Sequence, residues 1–306
     1  MNLLTITKTF TTEDEALDHL IKSRWPDGVK CLACGHAKVY AIATRGKTKK
    51  PCRLFECAEC GLHFSATTGT LFHDSHLPLT KWFMAMALMC EAKKGISALQ
   101  VSRHIGVQHK TAWYLCHRIR KAMAELDATK IGGQGKVVEI DETFVGGRKL
   151  RKGVKAGKDA KITVLGIAER NGRIHLQTIP NAQAVSIGPV LEARLSPDTD
   201  KVVTDAASVY TALIPAEKHE EVVHRDEIRS KGFTSTQTVE NAFSLFKRGI
   251  VGSYHKLSKD HLDSYLSEFC WRYNRRHLQP FMFDTLLREV ATGKPMSYRT
   301  LTREIF

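Results

Sequence analysis

The stretch Gly132-Gly133-Gln134-Gly135-Lys136-Val137-Val138-Glu139-Ile140-Asp141 decides how the chain is divided and folded. Its glycines have the composition of a flexible hinge, and the β-branched run behind them reads as a strand, so a domain boundary is placed at the glycines. The run Lys201-Val202-Val203-Thr204-Asp205 repeats the design, again closing a strand with an aspartate. Both carboxylates thereby project from strand ends into one cleft, because neighbouring strands lie ~4.8 Å apart.

Outward from these two strands, Ile162 to Glu169 and Arg173 to Ile179 flank Asn171-Gly172. That dipeptide is a hairpin signal, since both positions can take positive φ, and it makes the sheet at least partly antiparallel. A helical stretch from about Ala182 to Leu195 leads back to Lys201, and Val222-Val223-His224 supplies a short fifth strand. From Val239 onward the pattern is mostly helical. Glu240 opens a helix whose Phe243 and Phe246 can bury against the sheet, so a third carboxylate can join the two aspartates. Lys247 lies two turns further on the same face, about 10 Å along the axis at a rise of roughly 1.5 Å per residue.

Asp141, Asp205 and Glu240 offer hard oxygen ligands of the kind Mg2+ or Mn2+ takes. A pair of such ions can activate a water or a 3′-hydroxyl and stabilise the leaving oxygen during in-line attack on a phosphodiester. Each acid also has a plain structural use: an aspartate at a strand end caps a turn, and a glutamate in the first turn of a helix is favoured by the helix dipole.

Residues 1 to about 76 form a small, metal-stapled unit. Thr11 to Trp25 reads as a short helix capped at Thr12, with Glu15 three residues on. Cys31-Leu32-Ala33-Cys34-Gly35 and Cys57-Ala58-Glu59-Cys60-Gly61 are two knuckles that together complete a tetrahedral shell of four thiolates for Zn2+. Val39 to Ile42 and Arg53 to Glu56, in the stretch between them, can pair as ribbon strands. A site closed by four thiolates leaves no open coordination position, so this zinc holds the fold and does no chemistry. Cys52, His36, His63 and His73 are read as structural or surface residues, and Cys90, Cys116 and Cys270 are scattered.

Trp82, Phe83, Met86, Met89 and Cys90 recur at helical spacing, and a three-helix segment is expected from Leu79 to about Leu126. Within it, Ile96 to Trp113 places apolar anchors before Gly106 and basic residues at the opening of the next helix, as a helix-turn-helix does. In that reading Arg103, His109, Lys110, Arg118 and Arg120 contact DNA while Trp113, Leu115 and Ile119 pack inward. An ordinary helical hairpin with a solvated basic face is the other reading.

The chain has 306 residues, enough for two or three compact units, and its 46 Lys and Arg against 32 acidic residues leave a formal charge of +14. A pI near 9.4 suits a polyanionic partner. The amino terminus lacks a basic region followed by an apolar stretch and cleavage site, and no segment approaches about eighteen unbroken apolar residues. A cytoplasmic protein without a membrane partner is expected. Arg148-Lys149-Leu150-Arg151-Lys152 forms a basic, glycine-flanked loop.

Asp141-Glu142-Thr143-Phe144-Val145-Gly146-Gly147, Thr204-Asp205 and Thr238-Val239-Glu240-Asn241-Ala242-Phe243-Ser244-Leu245-Phe246-Lys247-Arg248-Gly249 resemble bacterial DDE insertion-sequence transposases of the ISXO-like kind, which carry a zinc ribbon at the amino end. The likeness continues through Gly252-Ser253-Tyr254-His255 and Tyr265 to Arg276, and back through Trp25-Pro26-Asp27-Gly28, both knuckles and Thr68-Gly69-Thr70-Leu71-Phe72. It implies an α/β fold: an RNase H-like mixed sheet flanked by helices, preceded by the zinc ribbon and the helix-turn-helix-like segment. The implied division is 1–76 for the ribbon, 77–130 for the helical segment, 136–290 for the catalytic domain and 291–306 for a tail.

The resemblance further implies Mg2+ or Mn2+ held by Asp141, Asp205 and Glu240, and a Lys247 that contacts DNA. It implies binding of double-stranded DNA at terminal inverted repeats and at the target, strand cleavage and strand transfer, and a homo-oligomer on the nucleoid of a bacterial cell. His224 falls where relatives place a histidine and carries over as a residue positioning a phosphate or assisting proton transfer; a structural role is the other reading. Relatives have His-Thr-Asn before the last acid, where this chain has Ser235-Thr236-Gln237. Two rivals remain: a catalytically silent DNA-binding regulator on the same scaffold, against which the intact carboxylates speak, and a structure-selective nuclease such as a junction resolvase, against which the ribbon speaks.

Overall fold

The computed structural model describes residues 1–43, 53–126, 129–146, 161–205, 207–222 and 235–292. They fall into two compact units, one built from Met1–Ala122 with His277–Phe306 and the other from Met123–Arg276.

The first unit opens with helices α1 (Leu3–Thr9) and α2 (Glu13–Arg24). The expected capping box starts α2: the Glu15 N–H donates to the Thr12 hydroxyl, and the Glu15 carboxylate accepts from the Thr12 N–H. Strands β1 (Val39–Ala43), β2 (Arg53–Cys57) and β3 (His63–Ser65) pair as an antiparallel ribbon, with Val39 opposite Cys57 and Phe55 opposite Phe64, as the strand residues between the knuckles suggested. Trp25 packs edge-on against Phe55 and Phe64.

The expected three-helix segment follows as α3 (Leu79–Glu91), α4 (Ala98–Ile105) and α5 (His109–Glu125). Leu79, Trp82, Phe83, Met86, Met89 and Cys90 of α3 are all buried, so the helical spacing read in the sequence is a core face.

The second unit holds, among the described residues, a five-stranded sheet in the order β6-β5-β4-β7-β8. Its strands are β4 (Val137–Val145), β5 (Ile162–Glu169), β6 (Ile174–Ile179), β7 (Lys201–Asp205) and β8 (His219–Val222). The first three form an antiparallel meander, whereas β7 pairs parallel to β4, and β8 parallel to β7. A parallel return needs a crossover, supplied by helix α6 (Ala184–Arg194) between β6 and β7. This antiparallel meander with two parallel additions is the RNase H-like mixed sheet.

One face of the sheet, with Val138, Ile140, Leu165 and Ile167, packs on Ile187, Val190 and Leu191 of α6 and on Tyr210 of the short helix α7 (Ser208–Thr211). The opposite face, with Val164, Ala168 and Leu176, packs on Val239, Phe243 and Phe246 of α8 (Gln237–Gly249) and on Leu266 and Phe269 of α9 (Leu262–Asn274). Covered on both sides, β5 is buried at nearly every position, which explains its continuous apolar run. Helix α9 also satisfies the outer edge strand: the Asn274 amide brackets the Ile174 N–H and C=O, the Cys270 Sγ accepts from the Leu176 N–H, and Asp263 accepts from Thr178. An unpaired strand edge would otherwise stand open to pairing with another chain.

Several boundaries differ from the sequence reading. The glycines at 132–135 lie inside the second unit, which starts at Met123. Gly132 serves close approach: its φ is +93°, and a Cβ there would meet the Thr199 hydroxyl at 2.2 Å, whereas Gly133 and Gly135 have open space around them and take φ of +130° and +75°. The Gly135 N–H donates to Asp200 at 2.6 Å. At the hairpin, Asn171 alone of the Asn171-Gly172 pair takes positive φ, at 58°. Strand β8 is described over His219–Val222, and Val223 and His224, the rest of the expected short strand, lie outside the described residues.

The last described helix, α10 (Met282–Thr292), belongs with the first unit although the catalytic domain was expected to run to 290. It packs on α2 and α3, and Phe283 meets Phe10 and Phe83 at ring separations of 6.2 and 5.6 Å. The amino terminus pairs with Asp284 of the same helix. Helical periodicity marks the apolar stripe of α10, but it carries no information about which core the stripe joins.

Candidate active site and zinc centre

Alternation along β4 sends successive side chains to opposite faces. Val138 and Ile140 face the α6 layer, while Glu139, Asp141 and Thr143 face α8. Asp141 is not at a strand end as expected, because β4 continues to Val145 in its pairing with β5. The parallel ladder with β7, however, stops at Glu139 opposite Val203. Continuing that register sets Asp141 level with Asp205, one pleat beyond the last paired residues. The two aspartates therefore stand side by side where the strands part.

Helix α8 brings the third acid. Glu240 sits in its first turn, exposed, and its carboxylate accepts from the Thr236 hydroxyl at 2.9 Å. Two turns on, Lys247 reaches back to β4 and donates to the Thr143 hydroxyl at 2.5 Å. The helix thus lies along β4, with Glu240 and Lys247 on the side that faces the strand's acidic row.

The electrostatics follow from this placement. Burial pushes the Asp141 carboxyl up to about 7, and the charges of Glu142, Asp205 and Glu240 add to that, against the Glu142 N–H that donates to Asp141 at 2.7 Å. Burial and Asp205 likewise raise Glu142. Tyr210, fully buried beside these acids, is held protonated by burial and by the Glu142 charge. A cluster in which carboxylates raise one another is a place where a cation is electrostatically favoured.

Among the described residues the three carboxylates do not form a group whose ligand atoms all lie within 4.8 Å of one another; the four cysteines do. Hard carboxylate oxygens are the donor set that Mg2+ or Mn2+ takes.

The residues missed by sequence reasoning are Glu139, Arg170, Thr236 and Tyr210. Glu139 is 1% exposed and paired with Arg170 at 2.8 Å. A carboxylate inside the run Val137-Val138-Glu139-Ile140 was a usable signal, since a charge in a strand buried on both faces demands a partner. His224 lies outside the described residues.

The zinc centre is compact. Cys31 and Cys60 Sγ lie 3.5 Å apart, Cys34 and Cys57 3.5 Å, and Cys34 and Cys60 3.6 Å. Sulfurs around one tetrahedral Zn2+ at ~2.3 Å sit about 3.8 Å apart, so the shell fits the ion. Each knuckle closes by the same backbone bonds: the Gly35 N–H donates to Cys31 O and the Gly61 N–H to Cys57 O, with φ of +74° and +67° that favour glycine. The N–H groups of Cys34 and Ala33 lower the Cys31 thiol, whereas the neighbouring sulfurs raise Cys34 and Cys60. His36, His63 and His73 stand outside the shell; His63 is exposed beside Glu56 and His73 beside Asp74.

The segment Ala98–Glu125 is a helix, a glycine turn and a second helix. Ser97 caps α4, Gly106 ends it in the left-handed region at φ 62°, and α5 starts at His109. Arg103, His109 and Lys110 are exposed, and Leu115 and Ile119 are buried, as expected; Trp113 is half-buried against His117. Arg118 and Arg120 correct the reading, for both are buried. Arg118 donates to Leu71 O at 2.6 Å and lies over the Trp82 ring, tying α5 to the segment behind the ribbon. On α5 they fall on the inward face with Leu115 and Ile119, so charge alone misassigned them.

An RNase H-like mixed sheet joined in one chain to a four-thiolate ribbon is the architecture of a zinc-ribbon transposase. Residues 132–274 match the ISXO2-like transposase domain, and residues 11–63 match the transposase zinc-ribbon domain. The chain belongs to this insertion-sequence transposase family. It is similar to the uncharacterized protein in transposable element ISH50 of Halobacterium salinarum, 29% identical over 282 residues that cover 86% of this chain and 91% of that one.

Proposed function

We propose that the chain is a DDE transposase that binds the terminal inverted repeats of its element and carries out metal-dependent strand cleavage and strand transfer. The observation that carries this reading is the side-by-side register of Asp141 and Asp205, with α8 laid along β4 so that Glu240 adds to the field at Asp141. Asp141, Asp205 and Glu240 hold Mg2+ or Mn2+. When bound, these ions supply Lewis-acid activation of the attacking water or 3′-hydroxyl and stabilisation of the leaving oxygen.

The chain's own residues do the remainder. Lys247, anchored on Thr143, presents a positive charge to a phosphate beside the acids. Tyr210, kept protonated, offers a hydroxyl behind Glu142 without adding charge. The zinc ribbon and α4–α5 hold the DNA ends, with Arg103, His109 and Lys110 available to phosphates or base edges. The net charge of +14 supplies the general attraction to DNA. Joining two ends in one complex requires at least a dimer on DNA. Among the described residues no helix is long and apolar enough to cross a membrane.

The test is an in vitro reaction on duplexes carrying the element's own flanking ends, with Mg2+ or Mn2+, comparing wild type with Asp205→Ala. Wild type nicks the ends and joins them to target DNA; the variant binds the ends and does neither. End binding by wild type without any cleavage would assign the chain to the regulators instead.

A further inference from the structure

Glu139 stands two residues before Asp141 on the same face of β4. Buried to 1% exposure, it accepts from Arg170 Nε at 2.8 Å, from the Thr238 N–H at 2.6 Å, from the Thr238 hydroxyl at 3.0 Å and from the Val239 N–H at 3.2 Å. Arg170 also donates to Ser235 O at 2.9 Å, just before α8 begins. The N–H groups of Thr238 and Val239 belong to the first turn of α8, where no helical carbonyl is available to them. The usual remedy is a capping side chain, but Thr236, the residue at the cap position, makes no such bond. Its hydroxyl is given to Glu240 at 2.9 Å.

We propose that Glu139 and Arg170 form a positioning brace that fixes the start of α8 on β4, and that Thr236, released from capping by that brace, orients the Glu240 carboxylate. The inference rests on the reading of Asp141, Asp205 and Glu240 as cation ligands, and it names three residues that set their spacing without touching the ion. A fully buried carboxylate is costly unless its lone pairs are used. Here they are used by the one helix that bears the third acid. The brace and Asp141 share a strand, so the distance from Asp141 to Glu240 is set by two residues of β4 at one end and the first turn of α8 at the other.

The experiment measures Mn2+ binding to the full-length, zinc-loaded protein by electron paramagnetic resonance, with metal-dependent cleavage read in parallel. Asp205→Ala serves as the variant lacking a ligand. Glu139→Gln together with Arg170→Gln removes both charges of the pair at once, and Thr236→Val leaves the brace in place. The brace account predicts Mn2+ affinity lowered by roughly tenfold to a hundredfold in the double variant and in Thr236→Val. It also predicts recovery in Thr236→Ser, and cleavage that returns toward wild type at saturating Mn2+. A merely structural role would lower the melting temperature and leave the folded protein's Mn2+ affinity unchanged. If Asp205→Ala loses Mn2+ while Thr236→Val and the double variant bind it as wild type does, the brace is refuted and the ligand assignment stands. If Asp205→Ala binds Mn2+ as wild type does, the ligand assignment fails and the brace with it.

Discussion

Asp141 is the residue on which opposing demands meet. Folded, its carboxyl is raised from an ordinary 3.8 to about 7, chiefly by burial. Between those two values the folded chain holds a proton that the unfolded chain releases, so the metal-free protein loses stability as pH rises through that window. Asp141→Asn abolishes this slope. With the zinc-loaded protein at pH 7.5 in buffer free of Mg2+ and Mn2+, it is expected to raise the melting temperature by roughly 2–4 °C, the shift that about 1 kcal/mol produces in a unit of this size, while abolishing cleavage. A melting temperature that fell, or a pH slope that survived the substitution, would show that Asp141 carries no such strain. Single residues were legible where their signal is local: the Thr12–Glu15 box and the aspartates of two β-branched runs could be found by inspection. Arg118 and Arg120 could not, because a buried arginine and a DNA-binding one look alike until the partners across the fold are known.

At the scale of the element, α8 governs the site, and its approach to the sheet depends on Gly166. That glycine pairs with Asp141 across β4 and β5, and a Cβ there would meet Phe243 Cζ and Val239 Cγ2 at 2.6 Å each. Gly166→Ala is expected to cost about 1–3 kcal/mol in urea unfolding by overpacking, and to weaken Mn2+ binding by lifting α8. Adding Val239→Ala should restore part of both; a single variant as stable and as tight as wild type would show that α8 is free to shift. Helices α4 and α5 carry a separate expectation. Arg103→Ala and Lys110→Ala should each weaken DNA binding and reduce the salt dependence by about one phosphate contact, whereas Arg118→Ala should unfold the helical segment instead. An unchanged salt slope in both surface variants would leave the helix-turn-helix without a DNA role. The elements themselves were readable from periodicity and turn chemistry. What stayed hidden were the partners of Glu139 on α8, Thr238 and Val239, which lie about a hundred residues on in the sequence.

Over the whole molecule, the two compact units divide the labour: the first carries the ribbon and its helices, the second the sheet and its acids. The four-thiolate shell contributes to folding the ribbon outright, since small zinc modules lack a core large enough to fold alone. Cys34→Ser is therefore expected to lose its zinc, counted by elemental analysis, together with end binding, while the acidic site still takes Mn2+. Retained zinc would place the metal elsewhere. The partly antiparallel character of the sheet followed from its hairpin signal, and its RNase H-like form from the family resemblance. The membership of α10 in the first unit did not, because an amphipathic helix announces a buried face and is silent about its partner. The measurement that bears most directly on the account is the anomalous scattering of Mn2+ in crystals of the full-length protein. The account predicts manganese bound between Asp141, Asp205 and Glu240, and none there in Asp205→Ala; manganese absent from these carboxylates in the wild type, or undisturbed by the substitution, would contradict it.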